Sequence, residues 1–150
     1  MKTLLVPVDF SDSTEDVLAQ AAELARQISG RLVLLHITEP VAEYVPVGAS
    51  MDVLSAAPPP LEIENIAAQE DRLADLARPW REAGLTVDSV SVVGLAVDDI
   101  LEQAERQKAD YIILGSHGHG ALYHLFSGSV VTGVLKRATC PVLVIPAKKA

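Results

Sequence analysis

Three glycines and two serines mark the stretch of this sequence that is best suited to chemistry. The stretch begins with Gly115-Ser116-His117-Gly118. Nine residues, 119–127, separate Gly118 from Gly128-Ser129. Glycine lets a backbone approach an anion closely, and a helix N-terminus offers unpaired N–H groups with about half a positive charge. The Ser129 hydroxyl adds a further donor. The stretch indicates phosphate binding, with a simple turn as the alternative.

The sequence carries little machinery for catalysis. It has no G-x4-G-K-[ST] run, so the lysine of P-loop phosphoryl transfer is missing, and no G-x-S-x-G run that would expose a serine nucleophile. His117, His119 and His124 are close in sequence, but a structural zinc site needs four ligands and no cysteine accompanies them. We therefore predict a binding site with no catalytic residues and no resident metal.

Runs of aliphatic residues predict the strands that would position the glycine stretch. Uninterrupted runs are typical of parallel strands covered on both faces, whereas alternation with polar residues suits an edge strand. Residues 86–93 alternate in this way. The predicted strands are residues 3–8, 32–37, 86–93, 110–114 and 141–145.

Most of the segments between these strands have apolar residues at helical spacing, which predicts helices. The first helix follows capping candidates at residues 11–13, and we expect Gly30 to end it. The second spans about residues 61–83, with a kink or a break at Arg78 because a proline follows. Gly84 is expected to end this second helix.

A third helix is predicted over residues 97–104 and a fourth after Gly128. Residues 38–60 show no sustained period and predict a long irregular connection, either a flap beside the ligand or a plain surface insertion. The chain is thus a single α/β domain over residues 1–150.

The alternation of strands and helices predicts a doubly wound, five-stranded parallel sheet in the order 3-2-1-4-5, with helices on both faces. In this order the first and fourth strands are neighbours at a topological switch point. Asp9, at the end of the first strand, and the loop over residues 115–129 would then reach the same crevice. Two features that are distant in sequence meet there, which favours a ligand site.

The glycine spacing, G-x2-G-x9-G-[ST], resembles the nucleotide-binding signature of the universal stress protein family. Residues 4–11 are similar to the opening strand of that family with its terminal aspartate, residues 34–37 to its second strand, and residues 140–145 to its ending. The resemblance covers the whole chain. It implies the adenine nucleotide alpha hydrolase-like version of the doubly wound fold.

The resemblance also implies a site for ATP, with or without Mg²⁺. It places Asp9 and Ile37 near the adenosine and the glycines around the ribose and phosphates. The alternative for Asp9 is an N-cap or loop carboxylate. His119 stands where the family often has a lysine or arginine, which favours phosphate binding by backbone N–H groups. The candidate nucleotide-binding residues are Pro7, Val8, Asp9, Ile37, Leu114, Gly115, Ser116, His117, Gly118, His119, Gly128, Ser129 and Val130.

Composition and charge exclude several other functions. A net charge of -8 disfavours a nucleic-acid partner, because duplex binding needs clustered lysine and arginine. No aliphatic run approaches the ~18 residues that would span a bilayer, and the start of the sequence lacks the features of a signal peptide. With a single cysteine, Cys140, we expect a cytoplasmic protein.

The resemblance implies an ATP-binding stress-response or regulatory module with at most slow hydrolysis. Residues 141–146 predict an apolar edge strand without a charged residue, and we expect a homodimer through it. Two alternatives remain: an enzyme of the adenine nucleotide alpha hydrolase-like group that transfers AMP or phosphate, and a nucleotide-free dimeric interaction protein.

Overall fold

Strands and helices alternate along the chain much as the aliphatic runs predict. The computed structural model describes residues 1–40, 60–116 and 128–146, without the side chains of residues 60–64 and 128–129. The predicted connection over residues 38–60 therefore lies mostly outside the described residues. The elements are β1 (Lys2–Pro7), α1 (Thr14–Gln27), β2 (Gly30–Thr38), α2 (Pro60–Glu82), β3 (Val87–Val93), α3 (Ala96–Arg106), β4 (Tyr111–Gly115), α4 (Gly128–Arg137) and β5 (Val142–Ile145).

The five strands form one sheet in the order β3-β2-β1-β4-β5, and the predicted order is confirmed. All four pairings are parallel, with Leu5 of β1 opposite Val33 of β2 and Ile112 of β4. The carboxyl ends of the strands consequently point to the same edge of the sheet, where the switch point lies between β1 and β4.

Alternate residues of the central strands enter two separate cores, one on each face of the sheet. Leu4 and Leu34 lie in the core that includes buried residues of α1 and α2, whereas Leu5 and Leu35 lie in the core that includes buried residues of α3 and α4. All four are 0% exposed. Both faces are covered, which explains why the middle of each strand, residues 4–6 and 32–35, is entirely aliphatic.

One local prediction was wrong, and a second was wrong in part. Gly30 does not end α1: the helix ends at Gln27, Ser29 takes the left-handed conformation with φ of 52°, and Gly30 is the first residue of β2. A Cβ built on Gly30 would lie 2.7 Å from Cδ1 of Leu4, so glycine is needed there for close packing.

The second concerns α2, for which a kink or a break was expected: Pro60–Glu82 is one helix through Pro79, so the helix does not break there. Leu73 and Ala77 before the proline are buried in one core, and Trp80 after it packs against the same core. Packing on both sides of Pro79 favours one continuous helix. Gly84, at φ of 87°, follows α2, and its N–H donates to the carbonyl of Arg81 at 2.9 Å, as expected of a residue that ends a helix.

Candidate functional site

The carboxyl ends of β1 and β4 meet at the switch point predicted for the crevice. The N–H of Val8 still donates to Leu35 of β2 at 2.8 Å, and the chain leaves the sheet at Asp9. A cavity of about 20 Å³ lies at this point, and its lining includes Pro7, Val8, Asp9 and Gly115. The structure thus brings together four of the candidate nucleotide-binding residues.

Asp9 is held in place by its own loop. Its Oδ1 accepts hydrogen bonds from the N–H of Ser11 at 3.0 Å and from Oγ1 of Thr14 at 3.2 Å, and the residue is only 9% exposed. This is the geometry of the loop carboxylate considered as an alternative. Since both hydrogen bonds end on Oδ1, the second carboxylate oxygen has no hydrogen bond among the described residues and is available to a ligand.

The aliphatic candidates Ile37, Leu114 and Val130 lie in one core. They are 4%, 0% and 5% exposed and belong to the cluster between the sheet and the two helices α3 and α4. Their side chains therefore support the base of the crevice from within the core.

Helix α4 begins at Gly128, the last glycine of the spaced stretch. It packs closely on α3, because a Cβ built on Gly133 would lie 2.9 Å from Cγ2 of Val97. The side chain of Ser129 and the candidates His117, Gly118 and His119 lie outside the described residues. Ser116, which does fall within them, donates its N–H to the carbonyl of Ile145 at 2.8 Å.

Three residues that the sequence analysis missed form a stack beside Asp9. His36 is 3% exposed, its Nδ1 lies 3.0 Å from the carbonyl oxygen of Val8, and its ring centroid is 4.5 Å from that of Phe10. The guanidinium carbon of Arg72 lies 4.1 Å from the centre of the Phe10 ring. A histidine within the otherwise aliphatic run of residues 32–37 was the one signal in the sequence that could have pointed to this stack.

The surroundings of the buried His36 favour its neutral form. Burial lowers the pKa of the imidazole below its ordinary value, the hydrogen bond with Val8 opposes this, Arg72 lowers the pKa further and Asp9 raises it. Because a carbonyl oxygen only accepts hydrogen bonds, Nδ1 of the neutral ring carries the hydrogen and donates it to Val8.

This lowered pKa predicts a loss of stability in mild acid. The unfolded histidine binds a proton below about pH 6.5 more readily than the folded one, so the free energy of unfolding should fall as the pH falls through that value. We expect urea unfolding at about pH 7.5 and pH 5.5 to give a larger fall for the wild type than for His36→Gln. An equal fall in the free energy of unfolding in both proteins would show that His36 does not contribute to the pH dependence of stability.

Basic residues of the described chain are mostly engaged away from the crevice. Arg137, in the last turn of α4, donates to Oδ1 of Asp98 in the first turn of α3 at 2.7 Å. Within residues 1–40, 60–116 and 128–146, no cluster of three or more histidine, cysteine, aspartate or glutamate residues could hold a metal ion. Over the same residues, no helix is long and apolar enough to cross a membrane.

A parallel sheet in this order, with a cavity at its switch point, defines a doubly wound α/β protein. The model of the universal stress protein family matches residues 1–146. The chain belongs to the universal stress protein family, and the predicted membership is confirmed.

Two relatives illustrate the similarity in sequence. A universal stress protein of Thermus aquaticus, from the QAH/OAS sulfhydrylase 3' region, is 32% identical over 145 residues, which are 96% of this chain and 98% of the relative. Universal stress protein MJ0577 of Methanocaldococcus jannaschii is 26% identical over 162 residues, with 99% of this chain and 97% of the relative covered.

Solved structures share the fold over nearly the whole chain. The structure of MJ0577 superposes with a TM-score of 0.73 at 26% identity, covering 99% of this chain and 98% of that one. A universal stress protein of Archaeoglobus fulgidus in complex with dAMP gives a TM-score of 0.67 at 24% identity, covering 97% and 98%. Another universal stress protein, in complex with cAMP, gives 0.68 at 22% identity, covering 97% and 96%.

Proposed function

We propose that this protein binds an adenine nucleotide, with ATP and its Mg²⁺ as the expected ligand, in the crevice between the ends of β1 and β4. The observation that carries the proposal is the meeting of Asp9 and Gly115, far apart in sequence, around one cavity at the switch point. Open α/β sheets bind their ligands at such points. The protein would act as a dimeric regulatory module of the stress response.

Each candidate residue has a role in this proposal that its chemistry allows. The free oxygen of Asp9 accepts from a ribose hydroxyl or an adenine amino group, as carboxylates do. Gly115, Gly118 and Gly128 allow the backbone to approach the ribose and phosphates. The N–H groups at the start of α4 stabilise the phosphate charge. The remaining residues shape the pocket: Pro7, Val8, Ile37, Leu114, Ser116, His117, His119, Ser129 and Val130.

Two proteins of this fold have been solved with adenine nucleotides, namely dAMP and cAMP. At 24% and 22% identity these likenesses establish the shared fold alone. They agree with the proposal, which rests on the residues of this chain.

Hydrolysis of the bound nucleotide is proposed to be slow. Charge that develops on a departing phosphoryl group is normally stabilised by a positioned lysine, an arginine or metal ions, and losing one such donor typically costs ~100-fold or more in rate. Residues 115–129 contain neither lysine nor arginine. Arg137 is paired with Asp98. Backbone N–H groups favour the bound ground state, with little selective stabilisation of the transition state.

Replacing Asp9 with asparagine tests the proposal. The amide oxygen of asparagine can still accept from Ser11 and Thr14, so the loop is expected to persist, but the charged acceptor for the nucleotide is lost. We expect the affinity for ATP, measured by isothermal titration calorimetry with Mg²⁺, to fall about tenfold, since a hydrogen bond to a charged group contributes ~1.5 kcal/mol.

The matched control is Asp71→Asn, which removes the same charge from an exposed position of α2. It should leave the affinity unchanged. If Asp9→Asn binds ATP as tightly as the wild type, Asp9 is only a loop carboxylate and its assignment to the nucleotide is wrong.

Dimerisation is proposed to occur through β5. Among the described strands β5 pairs only with β4; it contains no charged residue and presents Leu143 with 40% of its surface exposed. An unprotected apolar edge invites pairing with a second copy about a two-fold axis.

A lysine at position 143 should disrupt such a dimer, because its charge would have to be buried between two apolar edges. We expect light scattering after gel filtration to give the mass of two chains for the wild type and of one chain for Leu143→Lys. Leu135→Lys, on α4 at a site 52% exposed, should remain dimeric. A monomeric wild type at micromolar concentration would contradict the proposal.

A further inference from the structure

A cavity of about 860 Å³, far larger than the one at the switch point, lies between α1 and α2. We call it the α1–α2 groove. Its apolar lining includes Phe10, Leu18, Leu76 and Trp80. Phe10 and Trp80 are only partly buried against the neighbouring core, so part of their surface remains for a ligand. The groove is open to solvent and large enough for a sizeable ligand.

The lining of this groove is strongly acidic. Carboxylates come from both sides, with Asp12 just before α1, Glu15 and Asp16 in its first turn, and Asp75 on α2. Arg72 is the only basic residue among the described residues that line it. Asp12 and Glu15 are exposed, and neither has an ion pair within the described part of the chain, whereas Asp75 is paired with Arg78. The groove therefore has an excess of negative charge beside aromatic surface.

The groove already accommodates one guanidinium group on an aromatic ring. Arg72 lies with its guanidinium carbon 4.1 Å from the centre of the Phe10 ring, which is the geometry of a cation–π contact. Trp80 offers a second ring, and indole is the best cation–π partner among the side chains. An arginine side chain combines an apolar stem with a cation that matches carboxylates in two-pronged hydrogen bonds. The lining is complementary to this side chain.

We propose that the α1–α2 groove docks a basic peptide segment of a partner protein, in which arginine side chains alternate with aliphatic ones. Asp12 and Glu15 offer two separate carboxylates that have no ion pair in the described part of the chain, so the ligand must present more than one positive charge, which a peptide does and a single small cation does not. The aliphatic side chains would cover Leu76, which is only partly buried. The acidic lining repels the phosphates of a nucleic acid.

The only tryptophan of the sequence lies in this groove and reports on binding directly. The probe is a ten-residue peptide of alternating arginine and leucine, carrying fluorescein for anisotropy and unlabelled for Trp80 emission. We expect saturable binding to the full chain at micromolar concentration, together with a change in Trp80 emission. Raising the salt concentration should weaken binding, because exposed charges are screened.

Substitution of Glu15 by lysine should weaken binding of this peptide at least tenfold. Glu105→Lys is the matched control, since it makes the same charge change at an exposed position of α3, on the other face of the sheet, and should leave the affinity within twofold. Because a lysine in the first turn of α1 opposes the helix dipole, the double variant Asp12→Asn with Glu15→Gln provides a milder second test. It should weaken binding severalfold while the fold is retained by circular dichroism.

Three results would overturn the proposal. The first is the absence of saturable binding by the wild type. The second is an equal loss of affinity in Glu15→Lys and Glu105→Lys, which would show attraction to the net charge alone. The third is equally tight binding of a peptide of alternating arginine and serine without a change in Trp80 emission, since contact with the apolar lining would then be absent.

Discussion

Replacing Gly128 with valine is expected to weaken the binding of ATP about 30-fold or more. Gly128 is the first residue of α4 and the last glycine of the spaced stretch. Under the proposed function, phosphate approaches the backbone here, and a branched side chain would exclude it and remove N–H contacts. The cost is roughly 2 kcal/mol, which corresponds to about a 30-fold change in affinity.

Isothermal titration calorimetry with Mg²⁺-ATP measures this effect, with Thr132→Val as the control. Thr132 is exposed on the same helix, so the same side chain is introduced away from the N-terminus. The control should bind ATP like the wild type. Unchanged affinity for ATP in a folded Gly128→Val variant would show that the glycine stretch does not take part in the nucleotide site.

Truncation of Leu34 to alanine is expected to lower the free energy of unfolding by about 3 kcal/mol. A buried leucine costs ~2–5 kcal/mol when it is truncated, because both the transfer energy and the packing around the new cavity are lost. Leu34 is 0% exposed, and its strand is paired on both sides, with Val6 of β1 and Ser89 of β3 opposite. The loss is therefore expected near the middle of that range.

Urea unfolding followed by circular dichroism gives the comparison, and Leu95→Ala serves as the control. Leu95 is 60% exposed at the start of α3, so its truncation should change stability by less than about 0.5 kcal/mol. The burial of this core indicates that it is a main source of stability. Equal losses of stability in Leu34→Ala and Leu95→Ala would contradict that view.

The order of the strands in the sheet could be predicted because it depends on hydrophobic patterns that are visible within single segments of the sequence. The aliphatic runs of residues 3–8 and 32–37 predicted strands covered on both faces. The alternation in residues 86–93 predicted an edge strand, and β3 does lie at an edge of the sheet. Right-handed crossovers then leave few arrangements of five parallel strands.

The failures were local, and tertiary packing decided them. Gly30 was expected to end a helix because glycine often does so, but its lack of a side chain serves the contact with Leu4, while Ser29 takes the left-handed turn. Pro79 was expected to kink or break α2, yet the helix does not break, and residues on both sides of Pro79 pack on one core. The residues that pack against Gly30 and on either side of Pro79 cannot be identified from the local sequence.

The stack of His36, Phe10 and Arg72 is the part of the site region that sequence reasoning did not reach. Arg72 comes from α2, whereas Phe10 follows β1, and Phe10 takes the left-handed conformation with φ of 57° despite its side chain. Such a conformation is uncommon outside glycine and has no reliable signal in the sequence. The contact between Arg72 and Phe10 depends on how α2 packs beside α1, which only the structure specifies.

Native mass spectrometry of the wild-type protein, incubated with equal concentrations of ATP and GTP in the presence of Mg²⁺, tests the central claim most directly. Our account predicts one ATP per chain, little bound GTP, and a complex of two chains. Loss of the ATP signal in Gly128→Val would connect the bound molecule to the crevice at the switch point. Bare protein at millimolar ATP, or equal occupancy by the two nucleotides, would contradict the assignment of an adenine nucleotide site to this chain.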